Sequence, residues 1–257
     1  MKPERARSLK GVVLVGGTGS RLYPITTVTN KHLLPVYDRP MVYYPLQALV
    51  NAGVEEAMLV TGGNNAGDFL RLLGDGRKFG FSRLHYAYQE RAGGIAQALG
   101  LAETFAGGDD ILVILGDNII ESNIRQAAAE FAAQQNGAKL ILKEVPNPSA
   151  YGVAELQDGR ITGIEEKPEN PRSDLAVIGI YFYSSEVFDV IKTLEPSGRG
   201  ELEITDVNNH FIRAGTATYN VLDGYWADCG ESIDSYLEAV NLVARKGAND
   251  RAPCPQG

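Results

Sequence analysis

Lys10-Gly11-Val12-Val13-Leu14-Val15-Gly16-Gly17-Thr18-Gly19-Ser20-Arg21-Leu22 is a continuous apolar run that passes straight into a glycine-rich loop. A run without polar alternation reads as a strand buried on both faces, the signature of a parallel sheet. Three more short β-rich runs, at residues 57–61, 84–88 and 111–115, follow at intervals of about 25 to 45 residues, which is βαβ spacing. Between the first two, Val42, Leu46, Leu49 and Val50 recur at helical spacing, with Pro45 near the helix start and Gly53 placed to end it. Residues 95–105 and 123–135 predict two more helices. The first half therefore predicts an α/β fold with a mostly parallel sheet covered by helices.

After Lys139 the rhythm changes. Residues 139–145, 152–156, 160–166 and 177–183 are strand-like, and Asp158-Gly159 is a hairpin signal between the middle two, so antiparallel strands extend the sheet. Helices are predicted at residues 185–194, at 205–214 with Gly215 as the stop, and at 232–246 with Gly247 beyond, and a strand at 217–221. No fixed-period repeat or long linker divides the chain, so a single domain at residues 9–247 is expected, with loose termini at 1–8 and 248–257.

With 24 basic and 32 acidic side chains the net charge is -8 over 257 residues, which argues against nucleic acid or anionic lipid as partner. Any anionic ligand must be held by a few local cations. No apolar run reaches the ~20 residues of a membrane span, and the N-terminus lacks a signal-peptide core. Cys229 and Cys254 make no disulfide framework, so a reducing cytoplasm is the expected setting.

The loop Gly16 to Leu22 lets backbone N–H groups approach a phosphate or a nucleobase closely. It lacks the third glycine of the dinucleotide fingerprint and the Gly-Lys-Ser/Thr of a P-loop, which argues against NAD enzymes and P-loop ATPases. A turn without chemistry is the alternative. Arg21 and Lys31 follow with no acidic residue between them. Opposite charges 4 Å apart at an effective dielectric near 20 gain about 4 kcal/mol, so two placed cations can outweigh the net charge. Gly116-Asp117-Asn118 sets a carboxylate at the carboxyl end of a buried strand, where open α/β sheets bind ligands and where Mg2+ can bridge to phosphate. Asp228 is a candidate second carboxylate, or simply a turn residue before the last helix. In Glu165-Glu166-Lys167-Pro168 the proline is expected to keep Lys167 extended, presenting its ammonium to phosphate beside a sugar-binding Glu166; a solvated charge run is the alternative. His32, His85 and His210 have no metal spacing, no Gly-x-Ser-x-Gly elbow exists, and Tyr43-Tyr44 and Tyr181-Phe182-Tyr183 read as core aromatics.

These segments, together with Leu33-Leu34-Pro35-Val36-Tyr37-Asp38, Tyr151-Gly152-Val153, Gly200 to Asp206 and Trp226-Ala227-Asp228, occur in an order that closely resembles the sugar-1-phosphate nucleotidylyltransferases, in their short glucose-1-phosphate thymidylyltransferase form, over residues 10–246. The resemblance implies a Rossmann-like, three-layer α/β/α sandwich with a mixed, mostly parallel sheet of the nucleotide-diphospho-sugar transferase type. It implies Mg2+-dependent transfer of dTMP from dTTP to glucose 1-phosphate, giving dTDP-glucose and pyrophosphate for deoxysugar synthesis. By in-line attack, the sugar phosphate would displace pyrophosphate with no enzyme-bound intermediate, a reaction that needs positioning and charge more than a protein nucleophile. By position, Arg21, Lys31, Asp117, Lys167 and Asp228 would be catalytic, and Asp117 and Asp228 would hold the metal. Gly16, Gly17, Gly19, Ser20, Arg21, Lys31, Gln89, Gly94 and Asp117 would bind nucleotide. Asn118, Gly152, Glu166, Lys167 and Val177 would bind the sugar, with Tyr151 and Arg199 as neighbours.

Against the longer form of the family, this chain has His32 in place of glutamine, as the short forms do, and Cys229 in place of threonine, and it is expected to lack the C-terminal helices that help build that form's tetramer and regulatory site. The expected partners are dTTP, or UTP as the alternative base, and glucose 1-phosphate or another sugar 1-phosphate, in a homo-oligomer. A non-catalytic sugar-nucleotide sensor is the reading from another class.

Overall fold

The computed structural model describes residues 8–17, 19–134 and 136–249. In chain order the strands are β1 (Leu9–Val15), β2 (Pro35–Val36), β3 (Arg39–Pro40), β4 (Glu56–Gly62), β5 (Arg83–Gln89), β6 (Asp110–Leu115), β7 (Asn118–Ile120), β8 (Ala138–Glu144), β9 (Gly152–Gln157), β10 (Arg160–Glu166), β11 (Leu175–Tyr183), β12 (Ala217–Val221) and β13 (Trp226–Asp228). The helices are α1 (Tyr43–Asn51), α2 (Ala66–Leu73), α3 (Ile95–Gly100), α4 (Glu103–Ala106), α5 (Arg125–Gln134), α6 (Val187–Lys192), α7 (Ile204–Arg213) and α8 (Ile233–Lys246).

Val12, Val13 and Val15 are fully buried because β1 lies inside the main sheet, parallel to β4 on one side and to β6 on the other. The sheet runs β10-β9-β11-β6-β1-β4-β5, with β8 against the rest of β11 and β12 outside β8. Chain order reverses direction between β1 and β6, so a crevice opens where these two strands end, and ligands of open α/β sheets bind at such a switch point. Alternate residues of each strand face opposite layers. On one face Val13, Leu59, Leu112 and Phe182 pack with Leu49 of α1, Phe69 of α2 and Phe131 of α5. On the other, Val12, Met58, Val113 and Tyr183 pack with Leu99 of α3, Ile191 of α6 and Phe211 of α7. The result is the three-layer α/β/α arrangement with antiparallel strands added after β6, as expected from the residues and the resemblance.

A third cluster joins Val36, Met41, Ile119, Ala227, Cys229, Ala239 and Val243, seating α8 on a separate two-stranded ladder of β7 and β13. Ser232 starts α8 as an N-cap, its hydroxyl accepting from the Ser235 N–H at 3.0 Å.

Several expectations change. The helix predicted at 95–105 is two, because after Gly100 the chain tightens, with the Ala102 N–H donating to Leu99 O at 2.9 Å, before α4 begins. Residues 248 and 249 are packed rather than loose: Ala248 is 7 % and Asn249 3 % exposed, and the Asn249 N–H donates to Ile120 O at 2.9 Å. Helix α2 and the β2–β3 and β7–β13 ladders had no counterpart in the sequence reading. Thr18, Gln135 and Cys254 lie outside the described residues. Among those described, no helix is long and apolar enough to cross a membrane.

Candidate active site

The carboxyl ends of β1, β5 and β6 open onto two adjoining chambers. One, of about 240 Å3, is lined by Gly16, Gly17, Lys31, His32, Gln89, Gly94 and Asp117. The other, of about 250 Å3, is lined by Arg21, Asn118, Tyr151, Gly152, Glu166, Lys167, Val177, Arg199 and Asp228, and Asp117 borders it too. Asp117 thus lies on the wall that both share, with Ile95, Leu115 and Glu201. Nearly all the residues singled out from the sequence meet here. Gly19 and Ser20 line neither chamber; Gly19, at φ 63°, caps the short turn Ser20–Leu22 and its carbonyl accepts from Thr26 Oγ1 at 2.8 Å, so the pair shapes the loop.

Lys31 Nζ stands 2.5 Å from Asp117 Oδ2. Burial alone would pull the Lys31 ammonium down, but the Asp117 charge and hydrogen bond, with Asp228 nearby, hold it raised. Burial likewise disfavours ionised Asp117, yet Lys31 and the Asn118 amide at 3.1 Å keep its carboxyl well below the usual range. The second carboxyl differs. Burial and the charge of Asp117 push Asp228 up to about 7, against the Gly230 N–H donating to its Oδ1 at 2.8 Å and the more distant Lys31. Two buried carboxylates that repel each other and are both attracted by Lys31 form a donor set that a divalent cation suits. Among the described residues no third His, Cys, Asp or Glu joins them as a metal group, and one or two carboxylates plus substrate phosphates are the usual Mg2+ arrangement.

The ladder that makes this pair is short. Asp228 is the register partner of Asn118, and the Cys229 N–H donates to Asp117 O at 3.0 Å. Asn118 Oδ1 accepts from the Trp226 indole at 2.7 Å and from the Gly179 N–H at 3.0 Å, fixing the strand ends. His32 is buried and held neutral, its pKa pulled down to about 3 by burial and by Lys31. Its Nδ1 sits 2.7 Å from Asn30 Oδ1.

In the second chamber Lys167 departs from expectation. Its φ is 47°, left-handed rather than extended, although its N–H continues the β9–β10 register by donating to Tyr151 O at 3.0 Å. Such backbone strain concentrates at functional sites. Glu166 accepts from Thr205 Oγ1 at 2.7 Å, and Arg199 is engaged by Glu203 at 2.8 Å. Among the described residues no carboxylate lies within ion-pair distance of Arg21 or Lys167, which leaves two cations for an anionic ligand.

In the first chamber Gln89 Oε1 lies over Gly16, where a Cβ would sit 3.0 Å from it. Gln97, in the segment Gly93 to Ala98, carries no assigned role in the sequence, yet its Oε1 accepts from Gln89 Nε2 at 2.7 Å. Its signal was available: a polar side chain on the first turn of a helix, four residues from Gly93. Gly94, at φ 96°, packs so tightly on the chain at Leu202 that a Cβ would stand 2.5 Å from Leu202 O.

The nucleotidyl transferase family model matches residues 10–246. A glucose-1-phosphate thymidylyltransferase of Neisseria meningitidis serogroup A is 44 % identical over 239 residues, covering 91 % of this chain and 82 % of its own. One from an Actinoplanes species is 42 % identical, covering 91 % and 79 %. Among solved structures, a candidate glucose-1-phosphate thymidylyltransferase from Bacillus anthracis in complex with sucrose superposes with TM-score 0.89 at 48 % identity, over 97 % of this chain and 98 % of that one. A UDP-glucose pyrophosphorylase complexed with UDP-glucose gives TM-score 0.80 at 27 % identity, over 92 % and 98 %. With its fold, its paired chambers and these relatives in agreement, the chain belongs to the nucleotidyl transferase family.

Proposed function

We propose that the protein transfers dTMP from dTTP to glucose 1-phosphate, releasing pyrophosphate and forming dTDP-glucose for deoxysugar synthesis. The observation that carries this reading is the meeting of a Gln89–Gly16 chamber and a Lys167–Glu166 chamber at Asp117. The relatives named above supply the choice of substrates.

In this reading the base lies on Gly16 against Gln89 and Gly94, the triphosphate runs along Arg21 and Lys31, and the sugar sits at Asn118, Gly152, Glu166 and Val177. Lys167 holds the sugar phosphate. Asp117 and Asp228 would hold Mg2+, which when bound supplies positive charge to the two anionic substrates. The sugar-phosphate oxygen attacks the α-phosphorus in line, forming the new P–O bond as the bond to pyrophosphate breaks. No protein nucleophile is needed, because orientation and charge compensation supply most of such a barrier. The same reading has a single domain at residues 9–247, a cytoplasmic setting where nucleoside triphosphates are made, and a homo-oligomer measurable by light scattering.

The test is pyrophosphate release by purified protein with Mg2+ and glucose 1-phosphate, with dTTP, UTP, CTP, ATP and GTP offered separately. Release with dTTP, with or without UTP, supports the proposal. Release with CTP or a purine nucleotide alone overturns the base assignment. Tight nucleotide binding without turnover across a panel of sugar phosphates favours a sensor.

A further inference from the structure

The base-facing amide of Gln89 is not free to choose its orientation. Its Nε2 donates to Gln97 Oε1 at 2.7 Å and to Gly94 O at 3.3 Å, which occupies both of its hydrogens. Gln97 is fixed in turn. Its Oε1 also accepts from the Gly93 N–H at 3.2 Å, a donor shared with Arg91 O at 2.9 Å, and a backbone donor cannot be reversed by turning a side chain. Rotating the Gln97 amide would set an NH2 group against two donors. The chain Gly93 N–H to Gln97 Oε1 to Gln89 Nε2 therefore ends with Gln89 Oε1 turned outward over Gly16.

We infer that Gln97 is a positioning residue for base selection: it locks Gln89 so that the chamber offers only an acceptor there, which requires a donor such as an imide N–H on the base. This inference rests on the dTTP reading above and deepens it. An unlocked glutamine offers either its C=O or its NH2 and accommodates a ring nitrogen with a lone pair as readily as a ring N–H. The locked one rejects the lone pair, because two acceptors then face each other and both go unpaired in a partly closed site.

The probe pair is dTTP and 5-methyl-dCTP, which share the sugar, the triphosphate and the 5-methyl group and differ only in the ring N–H with its 4-oxo group against a ring lone pair with a 4-amino group. Their dissociation constants are measured by calorimetry with Mg2+ for the unmodified protein, Gln97→Met and Gln97→Glu, with thermal melts alongside. Glutamate keeps acceptors for both donors, whereas methionine keeps the length and removes them. The expected result is a dTTP preference that falls about tenfold or more in Gln97→Met, the order of one misplaced hydrogen bond, and is retained in Gln97→Glu. An unchanged preference in Gln97→Met overturns the inference. So does an equal loss of affinity for both nucleotides, a collapse in Gln97→Glu, or no preference in the unmodified protein. Because binding needs no turnover, absence of pyrophosphate release from dTTP would count against the proposed reaction, separately from these outcomes.

Discussion

Asp228 stands directly across a two-stranded ladder from Asn118, which puts its carboxylate beside that of Asp117 although the two strands share no turn. The ladder's three register pairs, Trp226 with Ile120, Ala227 with Ile119 and Asp228 with Asn118, are backed by the apolar cluster under α8. Packing of the C-terminal helix therefore holds two like charges together, a cost that metal and substrate can offset when they bind.

That cost has a pH signature in the metal-free protein. Asp228 holds its proton up to about pH 7 in the folded state, whereas its ordinary value is 3.8, so between these the native state binds more protons and stability falls as pH rises. Denaturation midpoints from pH 5 to 7.5 should fall in the unmodified protein relative to Asp228→Asn. His32 acts in the opposite direction, losing stability below its ordinary 6.5, but it is common to both proteins and cancels in the difference. Mg2+ at pH 7.5 should raise the midpoint of the unmodified protein and much less that of the variant. Parallel curves for the two proteins would remove the proposed coupling.

The Lys31–Asp117 pair separates structural from chemical effects. Removing either partner leaves a largely buried charge, with side chains 16 % and 13 % exposed, so Lys31→Met and Asp117→Asn should each destabilise the fold by about 3 kcal/mol. The double variant should recover about 1–3 kcal/mol of the summed loss, as measured by a denaturant cycle. Turnover should not recover: all three variants are expected to lose about 100-fold or more in pyrophosphate release. Recovery of activity with stability would mean that the pair acts only through packing.

The parallel strands were legible because burial on both faces demands continuous apolar runs, and Val12 to Val15 or Ile111 to Leu115 can be little else. Asp158-Gly159 gave its hairpin for a related reason: both residues take positive φ, 51° and 74°, as the turn requires. The β7–β13 ladder was invisible, since three-residue strands of mixed polarity carry no period, and their pairing depends on α8 arriving from the far end of the chain. Helix α2 hid behind glycines at 63, 67 and 74, which lower helical propensity while tertiary packing of Phe69 and Leu73 overrides it. Gln97 escaped because its role is to hold another side chain.

Two glycines of the site should respond unequally to a methyl group. Gly17 has φ 101° with open space around it, so Gly17→Ala adds backbone strain alone, about 1 kcal/mol. Gly94 has φ 96° and would also drive its Cβ into Leu202, whose N–H donates to Gly93 O at 2.8 Å and whose carbonyl accepts from the Ala96 N–H at 3.2 Å. Gly94→Ala should therefore cost about 3 kcal/mol or more in urea unfolding and weaken dTTP binding as the 93–97 turn shifts. Equal costs at the two positions would show that the Leu202 contact yields freely.

Lys167 offers a further test, in which stability and activity separate. Its φ of 47° suits glycine, and Pro168 after it narrows the allowed backbone further. Relative to Lys167→Ala, Lys167→Gly should be more stable by about 1 kcal/mol, because relief of strain in the folded state exceeds the extra freedom of the unfolded chain. Both variants lack the ammonium, however, and in both the KM for glucose 1-phosphate should rise and turnover fall by about 100-fold, while dTTP binding changes little. If Lys167→Gly matched the unmodified enzyme in turnover, the strained backbone would be serving the β10 turn alone, and the sugar phosphate would have to be held elsewhere, with Arg21 the remaining cation in that chamber without a carboxylate partner among the described residues.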